Sequence, residues 1–372
     1  MSSILRQSLL VAGFCATPVF AHHGFGRFDL SQDVSYSGTI TRFDFVNPHS
    51  YLYFDTVDEN GNVLSMKCEM RAATHLRRAG WDESIFEIGA HIELDGHPHR
   101  DDPTSCYMED IAINDQATRN RNEVYGGTDV DTSDRSYRLA SGEPNISGDW
   151  AVEQQVLTVP PEGGVGAVIP RSLREAFAAG EITIEEIRQE RPRPGPGRIT
   201  LTEEGEAAAA AYRRRPASEN LRAQCEPINF IYDWLWDWPV NQITRYEDRI
   251  EIYYGLYSHH RVIHMDTDEH PANLARSAAG HSIGGWEGDV LIVDTVGFKE
   301  GYIFPPTPMS EQAHIIERYT LDPDTFALTR EYEATDPVYF TEFVGSDVAY
   351  LSNTPFERHR CEELTPEFAA PR

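Results

Sequence analysis

The sequence predicts an all-β chain of two antiparallel β-barrel-like domains with short helical inserts. The first is a small oligomer-binding-fold-like barrel and the second a lipocalin-like barrel. Three observations carry this. Short runs of alternating apolar and polar residues recur along most of the chain, turn residues separate them at even spacing, and helical patterning is confined to a few brief stretches. The 372 residues include 32 Lys+Arg against 60 Asp+Glu, for a net charge of -28, and 40% are hydrophobic. That length is ample for two cores. So negative a balance argues against a nucleic-acid partner, because phosphate affinity needs clustered basic residues, and against an anionic membrane surface.

Residues 1–21 carry one basic residue, Arg6, an apolar run over 9–14, and Val19 and Ala21 where a signal peptidase reads. They predict a signal peptide and a periplasmic or secreted mature chain. The apolar run is shorter than the roughly 20 residues of a spanning helix, so no membrane span is expected. Cleavage removes Cys15, and Phe14 stands where lipidation of Cys15 would need a small residue. The remaining Cys68, Cys106, Cys225 and Cys361 can pair in any of three ways in an oxidising compartment. Cys68–Cys106 and Cys225–Cys361 are expected, each pair within one domain.

The first domain spans 22–115. Strand-like runs cover 34–45, 50–57 and 63–69, the last two joined through Asn60-Gly61, a strong hairpin signal. A helical insert covers 72–79, and strands resume at 91–96 and 108–113. Five or so strands with one helix suit a small oligomer-binding-fold barrel. Residues 116–145, rich in Asn, Asp, Arg, Ser and Gly, read as a linker or strap. The second domain, 146–365, opens on a strand at Ile146-Ser-Gly-Asp-Trp150. Helical patterns follow over 171–188 and 201–215, separated by a Pro/Gly run at 192–197. From Tyr232 onward strands return, with turns at Glu247-Asp248, Glu287-Gly-Asp289, Asp322-Pro-Asp324 and Asp336-Pro337. Such spacing favours a closed antiparallel barrel holding one small ligand.

Two stretches resemble known families. His22-His-Gly-Phe25, Asn47-Pro-His49, Trp81 and the strand HIELDGHPHR at 91–100 are similar to a family of small exported bacterial proteins of unknown function. The block GHSIGGWEGDVLIVDTVGF at 280–298, with Arg261 to Asp266 upstream and Ser310-Glu-Gln-Ala-His314 and Glu317-Arg318 downstream, resembles an equally uncharacterised exported family with that domain in front. The pattern departs at Gly285, where Arg is usual, and at Thr267-Asp-Glu269, where Gly-Arg is usual. The resemblance implies an architecture and a location. It implies no reaction.

Three constellations could carry chemistry. Cleavage after Ala21 makes His22 the first residue, and an α-amine with its own imidazole, plus a second imidazole from His49, His97 or His99, suits Cu(II). Copper is therefore the one cofactor considered. His97 and His99, two apart on a strand, sit about 6.6 Å apart along the chain. The second constellation is His260, His264 and Asp266, which share one face of a strand opposite His259, Arg261, Ile263 and Met265. His260 and His264 lie about 13 Å apart when extended, too far for one metal, and are expected to line a cavity wall. His281, Asp294, His314 and Glu317 come from neighbouring motif blocks and are expected to join them, since a His with a carboxylate is the minimum for general acid–base work. Third, Trp234, Trp236 and Trp238 recur with period two and, if extended, form an aromatic face, with Trp286 as a further ligand contact. The leading expectation is an apolar or aromatic small molecule in the second barrel. A cofactor-free hydrolase or isomerase and a copper protein are the alternatives.

Overall fold

In the computed structural model the described residues are 27–47, 49–114, 116–125, 130–158, 167–190, 195–214, 226–257 and 259–358. The first domain is built from β1 (Val34–Asp44), β2 (Tyr51–Val57), β3 (Val63–Glu69), α1 (Ala73–Arg78), β4 (His91–Pro98), β5 (Ser105–Ile113) and a short β6 (Arg119–Asn120). A register shift between Ile40 and Arg42 lets β1 pair with β4 through its first half and with β2 through its second. β3 then pairs in parallel with β5, which closes the ring β1-β2-β3-β5-β4. With α1 between β3 and β4, this is the oligomer-binding-fold order expected from the sequence. Strict alternation along β4 sends Ile92 and Leu94 inward to meet Leu52, Phe54, Met66 and Met108. Cys68 and Cys106 face each other across the closing pair and form a disulfide, as expected. Cys225 and Cys361 lie outside the described residues.

α1 ends at Gly80, whose φ of 76° suits a helix stop. A Cβ there would fall on the Tyr125 carbonyl. Residues 116–125 thus pack back on α1, with Tyr125 N–H donating to Ala79 O at 2.8 Å.

The second domain comprises β7 (Gly148–Val152), β8 (Gln155–Thr158), β9 (Ala167–Pro170), α2 (Arg174–Ala178), α3 (Ile184–Glu190), β10 (Gly195–Leu201), α4 (Glu203–Tyr212) and α5 (Phe230–Trp234). β11 (Asn241–Arg245), β12 (Arg249–Tyr253), β13 (His260–His264), β14 (His281–Glu287), β15 (Val290–Val296), β16 (Gly301–Phe304) and β17 (Thr307–Met309) follow. β18 (His314–Leu321), β19 (Leu328–Asp336) and β20 (Phe340–Leu351) complete it. Nine strands close in the order β7-β11-β12-β13-β14-β15-β18-β19-β20, with β20 returning to β7. β10 lies beside the first half of β20. The barrel is closed, but β13 and β14 run parallel, so the eight-stranded antiparallel lipocalin pattern is not the one adopted.

Three local expectations are corrected. The stretch 171–188 is not one helix: α2 and α3 are separated at Gly180, with φ 73°. Gly195 and Pro196, read as a break, begin β10. Asp233 to Trp238 is not extended, because the Asn229 side chain accepts from Ile231 N–H at 2.8 Å and caps α5.

That helix belongs to the barrel's filling. Phe230, Trp234, Trp150, Tyr254, Phe298, Phe340 and Phe343 are all fully buried in one cluster. Burial of such side chains stabilises by roughly 1.5–3 kcal/mol each. It also occupies the lumen in which an apolar ligand was expected. Two cavities, of about 540 and 580 Å³, lie instead between the barrels.

Candidate functional site

Alternation fixes which side chains enter the second barrel. On β13 it is Arg261 and Ile263 that point inward, while His260 and His264 face out, so the expected cavity wall is in fact the outer surface. On β14, β15 and β18 the inward residues are Ser282, Thr295 and Glu317, and the outward ones His281, Asp294 and His314. These four strands are neighbours. The fold therefore brings His264, His281, Asp294 and His314 onto one outer patch, and His270, from the β13–β14 crossover, completes it.

The patch is a hydrogen-bonded series. Asp294 Oδ1 accepts from His314 Nε2 at 2.9 Å and from His270 Nε2 at 3.2 Å. His270 Nδ1 and His281 Nδ1 are 2.9 Å apart, and the His281 ring stacks on His264 with centroids 4.8 Å apart. A neutral His270 that donates from Nε2 offers Nδ1 as an acceptor. His281 then donates from Nδ1 and keeps a lone pair on Nε2. Partial burial, then the neighbouring His264 and His270, hold the His281 pKa below its usual value. The patch is half open to water, with His270 at 19% and His314 at 44% side-chain exposure.

The other expected members lie elsewhere. His260 stacks on Tyr253 at 4.2 Å and faces Glu251. Asp266 is exposed, outside the series. Glu317 is inside the barrel, in a buried chain of charges that runs Asp347, Arg330, Glu317, Arg261. Arg330 Nη2 is 2.7 Å from Asp347 Oδ2 and its Nη1 3.5 Å from Glu317 Oε1, while Arg261 Nη2 lies 2.5 Å from Glu317 Oε2. Arg261 also donates to Ser282 and Thr295, each at 2.8 Å, and Tyr319 donates to Glu317 at 2.8 Å. Two cations and two anions balance, which makes burial tolerable. Burial drives the Tyr319 hydroxyl well above its usual range, and the Glu317 charge adds to this.

Trp234 is in the core, Trp238 and Trp236 pack with Leu256 and Ala72 between the barrels, and Trp286 lies half-buried against the main core. No shared aromatic face results. Each of the three candidates for a second ligand beside His22 has a polar partner. His49 pairs with Glu69 at 2.8 Å, His97 Nδ1 bonds Gln32 O, and His99 Nδ1 accepts from Asp101 and Asp102 N–H. Hydrogen bonding to Glu109 raises the His97 pKa, whereas burial lowers that of His99. His22 lies outside the described residues. Among those described, no three His, Cys, Asp or Glu side chains are arranged to hold a metal.

Residues 10–107 match the model of a family of unknown function, DUF6152. The match takes in β1 to β4 and enters β5, so it corresponds to the first barrel. No curated protein matches the chain.

His270 was not legible as a site residue, since it comes from a crossover with no periodic pattern. Arg261 was closer to reach: Ile263 shares its face, and a strand turns its branched apolar side chains inward.

Proposed function

We propose that this is an exported protein with a cofactor-free acid–base centre of hydrolase type on the outer wall of its second barrel. The observation that carries the reading is the series Asp294, His270, His281, which holds a lone pair on His281 Nε2. In this reading His281 Nε2 takes a proton from water as the water oxygen attacks an acyl carbon. The same proton then passes to the departing alkoxide, giving acid and alcohol. Asp294 and His270 fix the tautomer of the base, and His314 holds Asp294. The signal-like residues 1–21 support export to the periplasm or beyond. The aromatic cluster that fills the barrel weighs against the apolar-ligand reading.

The test is hydrolysis of p-nitrophenyl acetate by the purified mature protein. His281→Ala and Asp294→Asn are each expected to lower the rate by about 100-fold, and His260→Ala to leave it unchanged. Equal rates for wild type and His281→Ala would overturn the reading. N-terminal sequencing of exported material is expected to begin at His22.

A further inference from the structure

The chain is strongly acidic, yet three guanidiniums and an imidazole are gathered where the barrels meet. Arg71, His75 and Arg78 come from the end of β3 and from α1, and Arg171 from the turn after β9. Three of their donor nitrogens are taken up by backbone of the second domain. Arg78 donates to Val152 O at 2.8 Å and to Asp237 O, and Arg71 donates to Gln155 O. One carboxylate, Asp237, lies among them, 3.9 Å from Arg71 and 3.7 Å from His75. Its Oδ2 is already engaged by Gln155 N–H at 2.8 Å.

Arg171 is the residue that makes no direct contact with a carboxylate, although Asp237 lies near enough to act on its charge. Its Nε, Nη1 and Nη2 are all buried and make no hydrogen bond, and no carboxylate among the described residues forms an ion pair with it. Arg71 Nη1 and His75 Nε2 are in the same condition. A buried guanidinium normally has its donors satisfied, because losing hydration costs several kcal/mol. Burial and the neighbouring cations Arg71 and Arg78 pull the Arg171 pKa down to about 10, and burial does the same to Arg78. Both residues also border the cavity of about 540 Å³, together with Ser172, Thr132, Gln154 and Glu153. That volume is in the range of small-ligand sites. Among the described residues Glu153 is the one carboxylate in this wall, and its Oε1 accepts from Ser172 N–H.

We infer that the cleft between the barrels binds a small oxyanion, a phosphate or carboxylate group, on Arg171 with Arg71 and Arg78 beside it. The ligand supplies the acceptors that Arg171 lacks, in the planar forked geometry guanidinium offers. Because Arg71 and Arg78 belong to the first barrel and Arg171 to the second domain, the site exists only when the two are docked. It is separate from the His281 patch.

The test is calorimetry and thermal unfolding of the full mature protein in a chloride buffer, with inorganic phosphate in one arm and citrate in the other. Wild type is expected to show saturable binding and a rising Tm in at least one arm, and the arm identifies the group. Arg171→Met is expected to weaken binding by at least about tenfold while raising the Tm of the ligand-free protein, since an unpaired buried charge is exchanged for an apolar chain. Arg171→Lys keeps the charge and loses the fork, so an intermediate loss follows and guards against misfolding of the Met variant. Absence of saturable binding in both arms, or equal binding by wild type and Arg171→Met, would overturn the inference.

Discussion

Arg261 Nη2 lies 2.5 Å from Glu317 Oε2 in the middle of the second barrel, with both side chains at or below 1% exposure. The pair is held from both sides, by Ser282 and Thr295 on the arginine and by Tyr319 and Arg330 on the glutamate. Glu317→Ala leaves two buried guanidiniums facing one remaining carboxylate, Asp347. The expected loss is about 3–5 kcal/mol, read as a fall in the urea midpoint. A midpoint within error of wild type would mean that the chain of charges contributes nothing.

Stability is expected to fall in mild acid. Burial holds the His75 pKa well below its usual value, with Arg71, Arg78 and Arg171 adding to this, and His281 is lowered by burial and by His264 and His270. Groups depressed in the folded state bind more protons when unfolded. Their contribution is fully present above the unfolded value of about 6.5 and declines as pH drops from there toward the folded value, by up to about 1.4 kcal/mol per pH unit for each proton. In His75→Gln the curve of unfolding free energy against pH should be shallower than in wild type between neutrality and mild acid. Parallel curves would show that His75 does not titrate on unfolding.

The Cys68–Cys106 bridge spans 38 residues and joins the pair of strands that closes the first barrel. Replacing both cysteines by serine should cost that barrel roughly 2–4 kcal/mol, seen as an earlier calorimetric transition. A transition at the wild-type temperature would indicate that packing alone closes the ring.

Gly285 faces outward on β14, and a Cβ built there meets nothing within 4 Å. Gly285→Arg, which restores the residue usual in the resembling family, should change stability by no more than about 0.5 kcal/mol. Gly284 is the contrast. A Cβ there would come within 2.7 Å of Ile263, so Gly284→Ala is expected to destabilise measurably in the same urea titration.

How much of this could be read from the chain depends on how local the determining interactions are. The first barrel was legible, because its strand count, its Asn60-Gly61 turn and the place of its helix are local signals. Its closure is long-range, but the two cysteines marked it. In the second barrel the period of two separated His260 and His264 from Arg261 and Ile263 without saying which set goes in. The expectation that His260 and His264 line a cavity wall put Arg261 outside, whereas Arg261 turns inward because Glu317, from a strand more than fifty residues later, neutralises it. The Trp234 to Trp238 alternation was misleading because Asn229 starts a helix just before it. No local pattern could have pointed to Arg171, whose environment is assembled by docking.

The return of β20 to β7 bears on how the second barrel comes into being. Val152 near the start of the domain pairs with Ala349 near its end, so the ring stays open until its final strand arrives. Asp347, the partner of Arg330, travels on that strand. A nascent barrel therefore presents two unpaired edges and an uncompensated guanidinium in its interior. Closure by strands so distant in the chain makes slow folding the expected behaviour of this barrel.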